Sequence, residues 1–172
     1  MHILSSARLN LRTITTDDAQ FYLELINDPS YIENIGDKGI RTIDAAKESI
    51  VQGPVDMQER LGFSLYLVEL KPDARPIGIC GLIKRDGLAN VDLGYGFLPT
   101  YTGQGLASEA AGAVLQYARH TLGMQRLVAI TAPENARSSR LLEKIGFRFE
   151  KIIRLMRNGK EEVNKFYIHE FE

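Results

Sequence analysis

A glycine-rich segment in the middle of the chain has the composition of a phosphate-binding loop. Residues 103–108 read Gly-Gln-Gly-Leu-Ala-Ser, follow a strand pattern and open a helical pattern. Small residues at 103, 105 and 107 would let a bulky anion approach the backbone closely. The first N–H groups of a helix have no internal partner and lie at the positive end of its dipole. The segment therefore predicts a phosphate or pyrophosphate cradle, with a plain strand-to-helix turn as the structural alternative.

Two better-known phosphate motifs do not fit this segment. A P-loop has Gly-Lys-Ser/Thr at the helix start, whereas this chain has Gly105-Leu106-Ala107. A dinucleotide fingerprint is followed by an acidic residue about 20 positions later. Ser108 stands where its third small residue belongs, and no Asp or Glu occurs between positions 110 and 133. The segment therefore does not predict a nicotinamide dinucleotide.

The elements around this loop predict an α+β fold. Alternating apolar residues predict strands at 8–14, 63–70, 77–84, 91–98 and 127–131, and Asn158-Gly159 predicts a hairpin between strands 147–156 and 163–171. Helical spacing predicts helices at 19–26, 42–52, 106–120 and 135–145, the second ended by Gly53-Pro54. This order predicts a mixed, mostly antiparallel sheet flanked by about four helices. One parallel strand pair is expected around the helix that follows Gly105.

Length and composition predict a single domain that spans residues 1–172. The chain has 172 residues, with 21 Lys and Arg against 22 Asp and Glu, so no positive charge excess indicates a nucleic-acid partner. The single cysteine, Cys80, excludes an internal disulfide and a multi-Cys zinc site. Neither a signal peptide nor a bilayer-spanning segment is recognisable. We expect a soluble cytoplasmic protein, a monomer or a homodimer.

Three segments resemble the GNAT N-acetyltransferases, and most closely their RimJ/RimL-type branch. Asp92-Leu93-Gly94-Tyr95 together with residues 102–110 resembles the acetyl-CoA motif of that superfamily. Residues 135–147 resemble the branch's Asn-x-x-Ser…Glu-Lys-x-Gly-Phe segment, and residues 8–29 resemble its opening. One departure is Thr102, which stands where the superfamily usually has Gln or Arg. The resemblance covers nearly the whole chain, in order.

This resemblance implies a GNAT-like α/β sandwich that transfers an acetyl group from acetyl-CoA to a primary amine. Backbone groups of two residues at the end of a strand would pair with the pantetheine, and one of their N–H groups would polarise the thioester carbonyl. The glycine-rich loop would hold the pyrophosphate. Asn135 would bind the pantetheine arm, cap the following helix, or do both. The implied donor-binding residues are Phe97, Leu98, Thr102, Gly103, Gln104, Gly105, Leu106, Ala107, Ser108 and Asn135.

The same resemblance implies the residues that would move protons. Ser138 would protonate or hydrogen-bond the departing sulfur, because Leu142 stands where many GNAT enzymes have a Tyr. Asp92 would act as the general base, directly or through water, or would instead be an ion-pair residue. Tyr95 would line the acceptor pocket or simply pack in the strand. The three histidines show no metal-ligand spacing, so no metal is predicted.

The sequence does not identify the amine acceptor. The resemblance implies a protein or peptide N-terminal α-amine, of the ribosomal-protein type. A small-molecule amine, such as a polyamine or an antibiotic, is the first alternative. A non-catalytic acyl-CoA-binding module is the second, and another kind of nucleotide-binding protein is a weaker third. The acceptor side would be built from residues 31–41, residues 53–62 and the Asn158-Gly159 hairpin.

Overall fold

The computed structural model of the chain describes residues 1–157 and 159–172, and its framework is one eight-stranded sheet. The strands are β1 His2–Ser5, β2 Leu9–Thr13, β3 Leu65–Leu70, β4 Arg75–Ile83, β5 Asp92–Phe97, β6 Arg126–Thr131, β7 Arg148–Arg157 and β8 Lys160–Glu170. Their order across the sheet is β1-β2-β3-β4-β5-β6-β8-β7. Neighbours pair antiparallel except β5 and β6, which run parallel. The predicted α+β fold with one parallel pair is confirmed.

Six α-helices accompany this sheet in the described part of the chain, against the four or so that the sequence predicts. They are α1 Ala19–Ile26, α2 Pro29–Asn34, α3 Ile43–Ile50, α4 Asp56–Leu61, α5 Leu106–His120 and α6 Ala136–Lys144. Pro29 ends α1, as expected, but it also begins α2, because the first position of a helix needs no N–H donor. Asp28 caps α2 by accepting a hydrogen bond from the Ser30 N–H at 2.9 Å. None of the described helices has both the length and the apolar composition that a bilayer span requires.

The prediction that Gly53-Pro54 ends α3 is wrong. The chain stays helical through a π-helical turn, Val51–Val55, and continues as α4. The wider turn takes in a proline that cannot donate the usual backbone hydrogen bond. The helical run ends only at Gly62, whose φ of 79° lies in the left-handed region. Gly53, Pro54 and Met57 of this run line the cavity described below.

Two further differences concern the sheet. The four-residue strand β1 is not predicted from the sequence, because it is short and largely accessible to solvent. It pairs with β2 at the edge of the sheet, where the pairing depends on a distant segment rather than on its own pattern. β7 and β8 pair as a hairpin down to Arg157 and Lys160. Asn158, from the predicted turn, lies outside the described residues.

Alternation along the central strands separates the core into two layers. Tyr66 and Val68 of β3 pack in the cluster that contains α5, whereas Leu67 between them packs in the cluster that contains α1 and α3. This is the period of two that a strand with both faces covered requires. The buried face of α5 consists of Leu106, Ala110, Ala111, Val114, Leu115 and Ala118. Its three alanines let the helix lie close to the strands, and this fixes the loop before it.

Candidate active site

The parallel strands β5 and β6 are paired only at one end. Asp92 is opposite Val128, and the Val128 N–H donates to the Val91 carbonyl at 2.9 Å. Beyond this point no further pair is registered between them in the described chain, so the strands diverge toward Phe97 and Thr131. The gap opens into a cavity of about 640 Å³ between the sheet, α2, α6 and the β7–β8 hairpin. Unpaired backbone groups of β5 therefore border a cleft that can accept another extended chain.

The backbone N–H groups of Phe97 and Leu98, the two residues predicted to pair with pantetheine, point to opposite sides of the strand. The Leu98 N–H donates to the Ile77 carbonyl of the neighbouring chain segment at 3.0 Å. Because amides alternate along an antiparallel strand, the Phe97 N–H points instead toward the cleft. Phe97 also lines the cavity. Of the two predicted residues, Leu98 therefore has its N–H engaged within the sheet, and Phe97 is the one whose amide is open to acetyl-CoA.

The glycine-rich loop presents free backbone donors at the start of α5. Gly103 and Gly105 have φ of 77° and 75°, the left-handed conformation that favours glycine. The first helical hydrogen bond runs from the Glu109 N–H to the Gly105 carbonyl at 3.0 Å. The N–H groups of residues 103–108 have no acceptor in the described part of the chain. The Leu106 side chain is buried in the core, so only its amide faces this site, while Ala107 lines the cavity. The loop has the donors and the open space that a diphosphate needs.

Three polar side chains of the predicted cradle shape the loop itself. The Thr102 N–H and hydroxyl both donate to the Pro99 carbonyl, at 3.1 and 2.8 Å. The Gln104 amide donates to the Thr100 carbonyl, and the Ser108 hydroxyl donates to the Gly105 carbonyl. The Thr102 N–H is therefore engaged within the loop, while the residue itself lines the cavity. These contacts close the short turn that precedes the helix.

An arginine from the start of the chain holds this loop in place, which the sequence analysis did not predict. The Arg8 guanidinium donates to the Gln104 carbonyl at 3.0 Å and forms an ion pair with Glu109 at 2.7 Å. The Ser6 hydroxyl and the Arg8 N–H also donate to the Glu109 carboxylate. Burial opposes ionisation of Glu109, but these contacts outweigh it and lower its pKa. The negative charge in the first turn of α5 is thus compensated, and on the other side the Lys144 ammonium lies 3.5 Å from the Ser108 hydroxyl.

Helix α6 turns one face to the cleft. The Asn135 side chain caps the helix by accepting from the Ser138 N–H at 3.2 Å, and Asn135 also lines the cavity. One turn after Ser138, Leu141 lines the cavity, whereas Leu142 is 1% exposed and packs in the core. Position 142, where the resemblance places the tyrosine of many family members, therefore contributes no group to the cleft in this chain.

A phenol does reach Ser138, but from the sheet. The Tyr95 hydroxyl of β5 lies 2.6 Å from the Ser138 hydroxyl and 3.5 Å from its carbonyl. Burial raises the pKa of Tyr95, while the hydrogen bond to Ser138 acts in the opposite direction. A protonated phenol can therefore donate to the serine oxygen, and the serine can donate onward. Sequence reasoning treated Tyr95 and Ser138 separately, because 43 residues separate them and only the fold brings them together.

Asp92 lies at the closed end of the cleft. Its side chain is 1% exposed, and one carboxylate oxygen accepts from Arg85 Nε at 2.6 Å. Burial raises the pKa of Asp92, although the charges of Arg85 and Arg157 oppose that shift. The two readings of Asp92 from the sequence are thus compatible, since it is an ion-pair residue with a carboxyl made more basic by burial. Arg85 itself lines the cavity beside it.

Two glycines of β5, on the face that also carries Asp92, let neighbouring side chains pack directly against the strand. A side chain at Gly96 would meet the Tyr31 ring at 2.9 Å, and one at Gly94 would meet Ile83 at 2.8 Å. Tyr31 is buried and forms part of the cavity wall above β5. Tyr95 projects to the opposite face, where it reaches Ser138. Groups that could accept and donate a proton therefore lie on opposite faces of the same strand.

Comparison with known proteins identifies the family. A sequence model of the GNAT acetyltransferase domain matches residues 8–148. The uncharacterized N-acetyltransferase YnaD of Bacillus subtilis (strain 168) is 30% identical over 168 residues, which are 97% of this chain and 95% of that protein. The ribosomal protein uS5-alanine N-acetyltransferase of Escherichia coli (strain K12) is 30% identical over 101 residues, 57% of this chain and 52% of that enzyme.

The fold agrees with these sequence matches. RimL, a ribosomal L7/L12 alpha-N-protein acetyltransferase solved in complex with coenzyme A, superposes with a TM-score of 0.83 at 16% identity, over 99% of this chain and 98% of that chain. The chain belongs to the GNAT family and is an N-acetyltransferase that uses acetyl-CoA.

Proposed function

We propose that this acetyltransferase moves the acetyl group by direct attack of a primary amine, and that the acceptor is the free α-amine of a protein or peptide N-terminus, of the ribosomal-protein type. The whole of residues 1–172 acts as one domain in this reaction. The observation that carries the proposal is the Tyr95–Ser138 hydroxyl pair, 2.6 Å apart beside the divergence of β5 and β6. It supplies a proton donor where a thiolate would leave.

Different residues of the chain would bind different parts of acetyl-CoA. The free amides of residues 103–108 suit a diphosphate, since Arg8 compensates the charge of Glu109 and Lys144 lies beside Ser108. The cleft-side amide of Phe97 suits the pantetheine or the thioester carbonyl, whose oxygen gains negative charge during the attack. Asn135 keeps its side-chain N–H₂ for the pantetheine arm while its oxygen caps α6. Acetyl-CoA supplies an activated acetyl thioester when it is bound.

Asp92 would take the proton that the amine loses, and the Tyr95–Ser138 hydroxyl pair would supply the proton that the departing sulfur needs. The amine nitrogen forms a bond to the acetyl carbon, and the bond from that carbon to sulfur breaks. Asp92, whose pKa burial raises, takes the proton that the amine loses, directly or through water. Ser138 gives its proton to the departing sulfur and regains one from Tyr95. The products are an acetylated amine and the CoA thiol, so the protons balance once Asp92 and Tyr95 exchange with solvent.

Proton affinity favours an α-amine as the acceptor. An α-amino group has a pKa of about 7.7–8.0, whereas a Lys side chain is near 10.4, so far more of the α-amine is neutral at pH 7. Asp92 is held by Arg85, which limits how strongly it can draw a proton from a more basic amine. The partial similarity to an alanine N-acetyltransferase of ribosomal protein uS5 supports the same acceptor class.

A CoA-release screen tests the proposal. The purified chain and acetyl-CoA are incubated with unblocked N-terminal peptides, polyamines and aminoglycosides, and thiol release is followed with a chromogenic disulfide. We expect turnover with the peptides, and loss of turnover when the same peptides carry a blocked N-terminus. Turnover only with polyamines or aminoglycosides would assign the enzyme to small-molecule amines. Tight acetyl-CoA binding without turnover on any amine would indicate a non-catalytic acyl-CoA-binding module.

A further inference from the structure

Four cationic side chains line the cavity, Lys38, Arg85, Arg137 and Arg157, together with the carboxylates of Asp37, Asp86, Asp92 and Glu162. Of these, Lys38 follows α2, Arg85 follows β4 and Arg157 ends β7. Arg85 forms its ion pair with Asp92, as described above. Arg157 donates from Nε to Glu162 at 2.6 Å and from its terminal nitrogen to the Ile35 carbonyl at 3.3 Å. These two arginines are thus compensated and fixed by protein groups.

Lys38 differs from the two arginines because it has no such compensation. None of the ion pairs or hydrogen bonds found in the described part of the chain includes Lys38. Although its side chain is accessible to solvent, surrounding protein and the charges of Arg85 and Arg157 lower its pKa. Asp37 beside it is already bound to Arg41 at 2.7 Å and does not turn to the lysine. The wall of the acceptor cavity therefore carries one ammonium group that lacks an anionic partner.

The uncompensated Lys38 ammonium has two effects on an amine acceptor that binds next to it. It disfavours the protonated form of an amine that binds next to it, which leaves the nucleophile neutral. It also disfavours an acceptor with a second positive charge near the reacting amine, and favours one with a negative charge there. Both effects act in the same direction, toward a singly basic amine with an anionic neighbour.

We propose that Lys38 selects acceptors that carry a carboxylate a few ångströms from the reacting amine. This rests on the proposed function and narrows its acceptor class. Two sources offer this chemistry, an N-terminal peptide with Asp or Glu directly after its first residue, and a free acidic amino acid. The carboxylate would bind the Lys38 ammonium while the α-amine enters the same cavity beside Asp92.

A second opening on the other side of Ile35 has the opposite character. It is lined by Glu33, Glu134 and Glu162 together with Arg157, and Arg157 neutralises Glu162. The carboxylates of Glu33 and Glu134 lie at its exposed rim. A polycation that entered here would contradict selection by Lys38. A polyamine therefore belongs in the test.

The test measures kcat/KM for a matched panel of acceptors. Peptides of one length begin Ala-Asp, Ala-Asn or Ala-Lys with later lysines blocked, and free aspartate and spermidine complete the panel. We expect kcat/KM for the Asp peptide to be about three- to tenfold higher than for the Asn peptide, the gain expected of an ion pair between an exposed and a half-buried site. This ratio should fall to about one in Lys38→Gln and below one in Lys38→Glu. The control variant Lys47→Gln, which changes an exposed lysine of α3 outside the cavity, should keep the wild-type ratio.

The outcomes separate this inference from the proposed function. Equal use of the Asp and Asn peptides by the unmodified enzyme, or a ratio that Lys38→Gln leaves unchanged, overturns selection by Lys38 while N-terminal acetylation stands. Spermidine as the best acceptor overturns both. Absence of acetylation across the panel overturns the proposed function and this inference with it. Aspartate outperforming every peptide keeps the role of Lys38 and identifies a free amino acid as the acceptor.

Discussion

Removing the phenol hydroxyl of Tyr95 probes the proton donor with little disturbance of the fold. Tyr95→Phe keeps the ring in β5 and deletes the oxygen that lies 2.6 Å from the Ser138 hydroxyl. If Tyr95 orients and reprotonates Ser138, the change slows release of the sulfur but leaves the diphosphate loop intact. Tyr95 is then a positioning residue, and its effect should appear in kcat rather than in the KM for acetyl-CoA.

The geometry sets the size of the effect. A hydrogen bond of this kind contributes about 0.5–1.5 kcal/mol, so Tyr95→Phe should lower kcat by roughly two- to twelvefold. Loss of the general acid itself costs about 10²–10⁴-fold, which is the expectation for Ser138→Ala. Because the two hydroxyls act in series, the double variant should be about as slow as Ser138→Ala alone. Coupled residues are typically non-additive by about 0.5–3 kcal/mol.

Steady-state kinetics of thiol release by the wild type, Tyr95→Phe, Ser138→Ala and the double variant test whether the two hydroxyls act in series. Acetyl-CoA affinity, measured by calorimetry, serves as the control and should be the same in all of them. Wild-type kcat in Tyr95→Phe would remove the phenol from the reaction. Effects of the two substitutions that simply multiply would show that Tyr95 and Ser138 work independently, against the proposed proton path.

Three further predictions follow from the site. Gly105→Glu should abolish acetyl-CoA binding. Gly105→Ala has the same backbone strain of about 1–2 kcal/mol but no charge, so it should weaken binding far less. Equal calorimetric affinities of the two variants for acetyl-CoA would contradict the assignment of the loop as a diphosphate cradle. Arg8→Met should raise the KM for acetyl-CoA more than it changes kcat, because it releases the Gln104 carbonyl and leaves Glu109 uncompensated; an unchanged KM would show that the loop needs no anchor. Since burial raises the pKa of Asp92, its basic form is lost as the pH falls through a value above the ordinary one, so kcat should have an acid limb there. Arg85→Met removes a charge that lowers this pKa and should move the limb to higher pH, and an unmoved limb would assign it to another group.

Local sequence signals predict the parts of the site that lie within one segment. The helix predicted at 106–120 has those bounds in the structure, because its apolar spacing and the glycine before it are sufficient to define it. Asn135 caps α6, and the amides of the glycine-rich loop are free, as the residue types indicate. The family resemblance points to Ser138, and the structure places the Tyr95 hydroxyl 2.6 Å from the Ser138 hydroxyl.

The remaining features depend on register and on distant contacts. The cleft side of β5 follows from its pairing with β4, so the choice between Phe97 and Leu98 cannot be made from their residue types. A shift of one position on α6 likewise separates cavity-facing Leu141 from buried Leu142. The Arg8–Glu109 pair joins residues 101 positions apart, and no local pattern marks it.

The most direct test of the central claim is to map the acetyl group on a peptide that offers both amines. A peptide with a free N-terminus and an internal Lys is incubated with the enzyme and acetyl-CoA near pH 7, and tandem mass spectrometry locates the added acetyl group. The lower pKa of the α-amine and the ion pair that holds Asp92 to Arg85 predict acetylation at the N-terminus. Acetylation mainly at the Lys side chain, or rapid turnover on a small amine with neither peptide amine modified, would contradict the account.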